Sequence, residues 1–84
     1  MADIFQIEIA TPEKLVLSKP AESAQIPGKD GYMGILPGHA ALLSELGAGT
    51  LSFTLEGKTG SFTVSGGYVE VRDDHVRVLA DKAE

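Results

Sequence analysis

Cysteine and tryptophan are both absent from the 84 residues. Without cysteine the chain has neither a disulfide nor a Cys-ligated metal to fall back on, so packing and hydrogen bonding must stabilise it. The lack of tryptophan, with only two tyrosines present, leaves little aromatic surface on which a sugar could stack. Basic residues are scarce too: seven Lys and Arg stand against twelve Asp and Glu, a formal charge of −5. Such a surface is repelled by nucleic-acid phosphates and anionic lipid headgroups, which argues against nucleic acid as a partner. The longest apolar run is Ala40-Ala41-Leu42-Leu43, far short of the roughly 20 residues of a membrane-spanning helix. The first residues lack a basic-then-apolar signal. These features suit a protein of a reducing, cytoplasmic-type compartment that does not insert into a membrane. No repeat, low-complexity stretch or internal linker interrupts the chain, so residues 1–84 are read as one domain.

Glycine and turn-forming residues are, by contrast, abundant, and short alternating runs lie between them. From Ile4 to Ile9, Phe5, Ile7 and Ile9 fall on one face and Gln6 and Glu8 on the other, the period of a half-buried strand. Leu15 and Leu17 repeat the inward pattern up to Pro20, and Ala24 and Ile26 continue it up to the turn Pro27-Gly28-Lys29-Asp30-Gly31. Leu51, Phe53 and Leu55 alternate with Ser52 and Thr54, after which the segment from Glu56 to Gly60 reverses the chain into a strand over Ser61–Ser65. A second hairpin turns at Asp73-Asp74, between Val69 with Val71 and Val76 with Val78. No helix-length segment is available as a parallel crossover. The expected fold is therefore all-β, a two-layer antiparallel sandwich or flattened barrel of short strands. His39 to Leu46 is ambiguous: its Ala and Leu content suits two helical turns, while neighbouring strands could recruit Leu42 and Leu43 into a short strand.

Catalysis has little material to work with. His39 and His75 are far apart in sequence and lack metal-ligand spacing, so structural or interfacial roles are expected of them. Ser65-Gly66-Gly67 has no following Lys-Ser or Lys-Thr and reads as a glycine-rich strand connection rather than a phosphate loop. Asp73-Asp74 reads as a solvated turn, not a metal clamp. No catalytic residue, cofactor or metal site is assigned. The segment Gly31-Tyr32-Met33-Gly34-Ile35-Leu36-Pro37-Gly38-His39-Ala40 carries more information, because three glycines and a proline among apolar residues imply a sharp bend. On physical grounds this is a structural corner or an interaction surface, with Tyr32, Met33 and His39 presented outward.

That segment, together with Leu42-Leu43, Ser65-Gly66-Gly67-Tyr68-Val69-Glu70-Val71, Val78-Leu79-Ala80-Asp81 and the opening Ile9-Ala10-Thr11-Pro12-Glu13, resembles the N-terminal sandwich domain of the epsilon subunit of F-type ATP synthases, called delta in mitochondria. The similarity runs over essentially the whole chain, with motif order preserved. It implies a non-catalytic rotor subunit of the central stalk, joining gamma to the c-ring and coupling ion-driven rotation to ATP synthesis. It also implies a peripheral position on the cytoplasmic face of the bacterial inner membrane, within a hetero-oligomeric complex. By resemblance, Asp30, Gly31, Tyr32, Met33 and Gly34 lie at the c-ring contact, and His39, Ala40, Leu42 and Leu43 at the gamma contact.

Tyr32 stands where the family often has a carboxylate, a charge that Asp30 would then supply, and Ala41 replaces a frequent proline. The chain stops at Asp81-Lys82-Ala83-Glu84, where the family's C-terminal helical hairpin would begin, so that domain is expected to be absent. The rival reading is a lipoyl- or biotinyl-type carrier domain with Lys58 on a hairpin tip. Against it, Glu56-Gly57 and Thr59 do not reproduce the carrier's lysine motif, and Lys82 lies at the chain end.

Overall fold

A computed structural model describes residues 3–84, and in it the regular structure is entirely β. Eight strands follow in order: β1 Phe5–Ala10, β2 Leu15–Ala21, β3 Ser23–Gly28, β4 Gly31–Ile35, β5 Leu42–Glu45, β6 Gly49–Leu55, β7 Lys58–Arg72 and β8 His75–Ala83. They form a hydrogen-bonded path β2-β1-β8-β7-β6-β3-β4, with β5 branching onto β7. The sheet folds over on itself into a sandwich and does not close, so β2 and β4 remain the open ends of the path, and β5 is a further edge strand.

The all-β sandwich is as expected, but one pairing is not antiparallel. β1 runs parallel to β8, Ile7 beside Val76 and Ile9 beside Val78. Parallel pairing requires a long connection, and here nearly the whole chain lies between the two strands, so no crossover helix is needed. Nor are all the strands short. β7 holds fifteen residues because the Ser65-Gly66-Gly67 segment, expected to connect two strands, bends one continuous strand instead. Gly66 and Gly67 have φ of 67° and 105°, backbone that an L side chain rarely adopts. A Cβ on Gly67 would run into the Leu79 carbonyl of β8. The bend lets the first half of β7 pair with β6 and the second half with β5, while β8 follows it through the corner from Arg72–His75 to Val64–Ala83.

Inward residues alternate as period-two geometry demands. Phe5, Ile7 and Ile9 meet Val69, Val71, Val76 and Val78 on one side of the core, and Ala24, Ile26, Ile35, Leu51 and Phe53 line the other. Phe53 stacks on Phe62 with ring centroids 6.3 Å apart, and its ring also covers Gly60, where a Cβ would meet it. Leu15 breaks the expected pattern and is 57% exposed. It begins an edge strand next to a register shift at Ile9/Ala10, which frees β2 from strict alternation.

The ambiguous segment resolves as a strand. β5 pairs Leu42 with Val71 and Glu45 with Tyr68, because four residues on an existing sheet edge gain ladder bonds that an isolated two-turn helix cannot match. Both hairpin tips are tight. Glu56-Gly57 and Asp73-Asp74 all have positive φ, the two-residue geometry that follows strand twist. The first tip is shorter than the sequence suggests, so Lys58 already belongs to β7.

Candidate functional site

The residues singled out by resemblance occupy two neighbouring places. Asp30 lies with Lys29 at the exposed tip between β3 and β4, and Gly31, at φ 133°, completes the reversal. Lys29 Nζ reaches Glu45 Oε2 at 3.1 Å, and its backbone N–H donates to the Glu45 carbonyl. This tip is thereby fixed to the end of β5, and Asp30 enters no ion pair among the described residues.

Tyr32 is 59% exposed but does not project freely. Pro27, opposite Tyr32 across the ladder, has no N–H to offer, and the β3–β6 pairing runs only from Ser23 to Gln25. The amide of Thr50 on β6 donates instead to the Tyr32 hydroxyl at 3.0 Å. The ring reaches over β3 toward Gly49, where a Cβ would overlap the hydroxyl. Met33 points the other way, half-buried against the core. Gly34 has no positive φ, and a Cβ there would meet only the Gln25 side chain, at 3.4 Å. Of the three glycines in the segment, Gly31 and Gly38 alone carry the bend in backbone terms.

His39 follows a turn closed by its own N–H donating to the Leu36 carbonyl at 3.1 Å, and its Nδ1 lies 2.7 Å from the Ala40 carbonyl. It is half-buried rather than free. The loop is anchored from outside by Asp74, whose Oδ1 accepts the Gly38 N–H at 2.7 Å and whose carbonyl accepts the Gln6 N–H at 2.9 Å. Asp74 is therefore a clasp between β1, the 36–40 loop and the β7–β8 turn, a role its solvated-turn reading did not include. Asp73 matches that reading, with a side chain 94% exposed. Ala40 and Leu43 are exposed, Leu42 half-buried against the core.

Register brings further residues to Leu43. Across the outer face of β5, β7, β8, β1 and β2, Leu43, Glu70, Arg77, Glu8 and Ser18 form one row. Glu45, Tyr68, Leu79, Ala10 and Leu15 form the next. Leu43, Tyr68, Leu79 and Leu15 are each more than half exposed, a concentration of apolar surface on one face of a small protein. Sequence reasoning cited Tyr68 and Leu79 only within the motifs of the resemblance; pairing order, which one sequence does not give, sets Tyr68 beside the strand of Leu43 and Leu79 beside Tyr68. On that face Glu8 Oε1 also lies 2.5 Å from His75 Nε2 and 3.8 Å from an Arg77 guanidinium nitrogen. The other layer's outer face is hydroxyl-rich, with Gln25, Ser52, Thr54 and Ser61 among its residues.

Among the described residues no group of three or more His, Asp and Glu stands close enough to hold a metal ion. Among the described residues no helix is long and apolar enough to cross a membrane. Lys58 is exposed at the start of β7, beside the tip and not on it.

The fold and its surfaces define a small β-sandwich whose distinctive features are an outer face with exposed Leu43, Tyr68, Leu79 and Leu15 set among charged side chains, and a clasped corner. The family described as ATP synthase, Delta/Epsilon chain, beta-sandwich domain matches residues 4–84, and the chain belongs to it. The ATP synthase epsilon chain of Koribacter versatilis is 54% identical over 84 residues, all of this chain and 59% of that one. That of Solibacter usitatus is 48% identical over the same span, 63% of its length. The chain thus spans about three fifths of the length of these curated relatives. Among solved structures, a chain in the mitochondrial ATP synthase of Euglena gracilis, from an OSCP/F1/c-ring structure, superimposes with a TM-score of 0.89 at 28% identity. The match covers 100% of this chain and 54% of that one. A chain of the Tetrahymena thermophila central stalk/c-ring structure shares the fold, with a TM-score of 0.77 at 20% identity over 94% of this chain and 64% of its own.

Proposed function

We propose that the chain is a non-catalytic part of the rotor of an F-type ATP synthase, joining gamma to the c-ring on the cytoplasmic face of a bacterial inner membrane. In this reading ion-driven rotation of the ring passes through the sandwich to the stalk. Family membership supports it, and so does the presence of the structural neighbours in ATP synthase assemblies whose descriptions name the c-ring.

The observation that carries the gamma contact is the exposed apolar face. His39, Ala40, Leu42 and Leu43 are the residues expected at gamma, and Leu43 continues into Tyr68, Leu79 and Leu15. Surface of this kind is normally covered by a partner. The ring contact is proposed at Asp30, Gly31, Tyr32, Met33 and Gly34. Asp30, exposed and outside every ion pair among the described residues, is the group that would face a basic loop, with an attraction that weakens as salt rises.

Binding to a gamma subunit of the same synthase tests the first contact. Leu43→Glu is expected to weaken capture tenfold or more, about 1.4 kcal/mol, whereas Ser52→Glu on the hydroxyl-rich face leaves it unchanged. Equal effects from the two substitutions would refute the assignment of this face. For the ring, Asp30→Ala is expected to weaken binding at low salt and to flatten its salt dependence.

A further inference from the structure

The two ends of the strand path are guarded differently. β2 carries Lys19 and Pro20, residues that discourage a second chain from pairing there. β4, with the sequence GYMGI, has neither charge nor proline, and among the described residues β3 is its only ladder partner. The two-residue tip makes Gly28 and Gly31 a hydrogen-bonded pair, and alternation gives Ile26 with Met33, and Ala24 with Ile35, the same status. The N–H and C=O groups of Tyr32 and Gly34 consequently face the open edge. Gly34 has no side chain to cover them, and the Tyr32 ring is drawn back over β3 by its bond from Thr50.

We propose that this edge pairs with itself, so that two free copies of the chain join β4 to β4 in antiparallel register about a two-fold axis at Met33. Tyr32 of each copy then exchanges both ladder bonds with Gly34 of the other, an isologous contact in which every outward group finds a partner. The register also suits the charges. Asp30 of one copy lies opposite Leu36 of the other, so the two acids are kept apart despite the net −5 of each chain. The Met33 side chains meet on the inner side of the ladder, where each is already half-buried. Four backbone bonds and two methionines make a small interface, so the pair forms only at high protein concentration. The ring contact proposed above would use the same edge, so a self-paired copy could not engage the ring. Self-pairing itself does not depend on that assignment.

Sedimentation of the 84-residue chain over a concentration series reaching about 1 mM tests the pairing, with circular dichroism as the check on folding. The wild-type chain is expected to show a monomer–dimer equilibrium, and Gly34→Lys, which puts bulk and charge on the edge, to shift its midpoint at least tenfold upward. A second readout does not depend on that variant folding. Across a non-hydrogen-bonded antiparallel pair the Cα atoms lie about 4.5 Å apart, within disulfide reach. In a chain with no native cysteine, Met33→Cys is therefore expected to cross-link on mild oxidation and Leu15→Cys, on β2, to remain uncoupled. A monomer throughout the series, a dimer that folded Gly34→Lys leaves intact, or equal cross-linking from both cysteines would each overturn the proposal.

Discussion

Replacing Gly67 with alanine tests the claim that one bent strand joins the two layers. Two costs add at this position. At φ 105° an alanine lies outside even the left-handed helical region, a strain of about 1 to 3 kcal/mol. Its Cβ would also overlap the carbonyl oxygen of Leu79, which is backbone of the adjacent strand and cannot rotate away. Relief requires β7 and β8 to part near Gly67–Ala80, at a cost of about 1 kcal/mol for each ladder bond lost. With two such bonds lost, the sum is about 3 to 5 kcal/mol. A chain of this size has roughly 4 to 13 kcal/mol of stability in all, and each kcal/mol moves the midpoint of a small domain by about 4 to 8 °C. Gly67→Ala should therefore melt at least 12 °C below wild type, approximately, or fail to fold. Gly66→Ala should lose less, because φ 67° is a left-handed helical value and the obstructing Asp81 side chain can swing aside. Gly34→Ala should stay within about 1 kcal/mol of wild type. Urea and thermal unfolding followed by far-UV circular dichroism would give this order. A folded Gly67→Ala chain within 1 kcal/mol, roughly, of wild type would refute the reasoning.

Three further substitutions probe the corner and the core. Asp74→Ala removes the acceptor of the Gly38 amide from a position at φ 57° and should cost about 1 to 3 kcal/mol; Asp74→Asn, which keeps an acceptor and tolerates that φ, should recover most of it. Hydrogen exchange at Gly38 and Gln6 would report the loss directly. Tyr32→Phe deprives the Thr50 amide of its acceptor and should cost about 0.5 to 1.5 kcal/mol, with faster exchange at Thr50. Ile7→Ala empties a fully buried site on β1 between β2 and β8 and should cost about 2 to 5 kcal/mol, read as a fall in the urea midpoint at unchanged slope.

Local pattern carried most of the fold and little of its pairing. Alternation in Phe5-Gln6-Ile7-Glu8-Ile9 and in Val76 to Ala80 identifies inward residues because a strand's period is local. That these two strands lie parallel depends on contacts almost seventy positions apart, roughly, which periodicity does not encode. The same limit hid the grouping of exposed Leu15, Leu43, Tyr68 and Leu79, which lie far apart in sequence until register brings their strands together, and Leu15 even reads as inward. The doublet Gly66-Gly67 was visible as punctuation, but a break between strands and a bend within one strand look alike in sequence. Asp74 was read as solvated because its partner, the Gly38 amide, lies 36 positions away.

The bend in β7 also bears on how such a domain could carry load. Two sheets held together only by side chains slide when sheared, since dispersion contacts re-form after a small displacement. Here the layers share continuous covalent backbone through the β7 corner, and β8 stays laddered to β7 on both sides of it, from Arg72–His75 to Val64–Ala83. Sliding one layer would have to break that ladder, so the corner resists motion that a simple two-sheet stack would permit. The Asp74 clasp holds the 36–40 loop to the β7–β8 turn at the other end of this ladder. The residues proposed for the ring and for gamma are thereby tied into one hydrogen-bonded framework, the β3–β4 tip being bonded to the end of β5 and β5 laddered to β7.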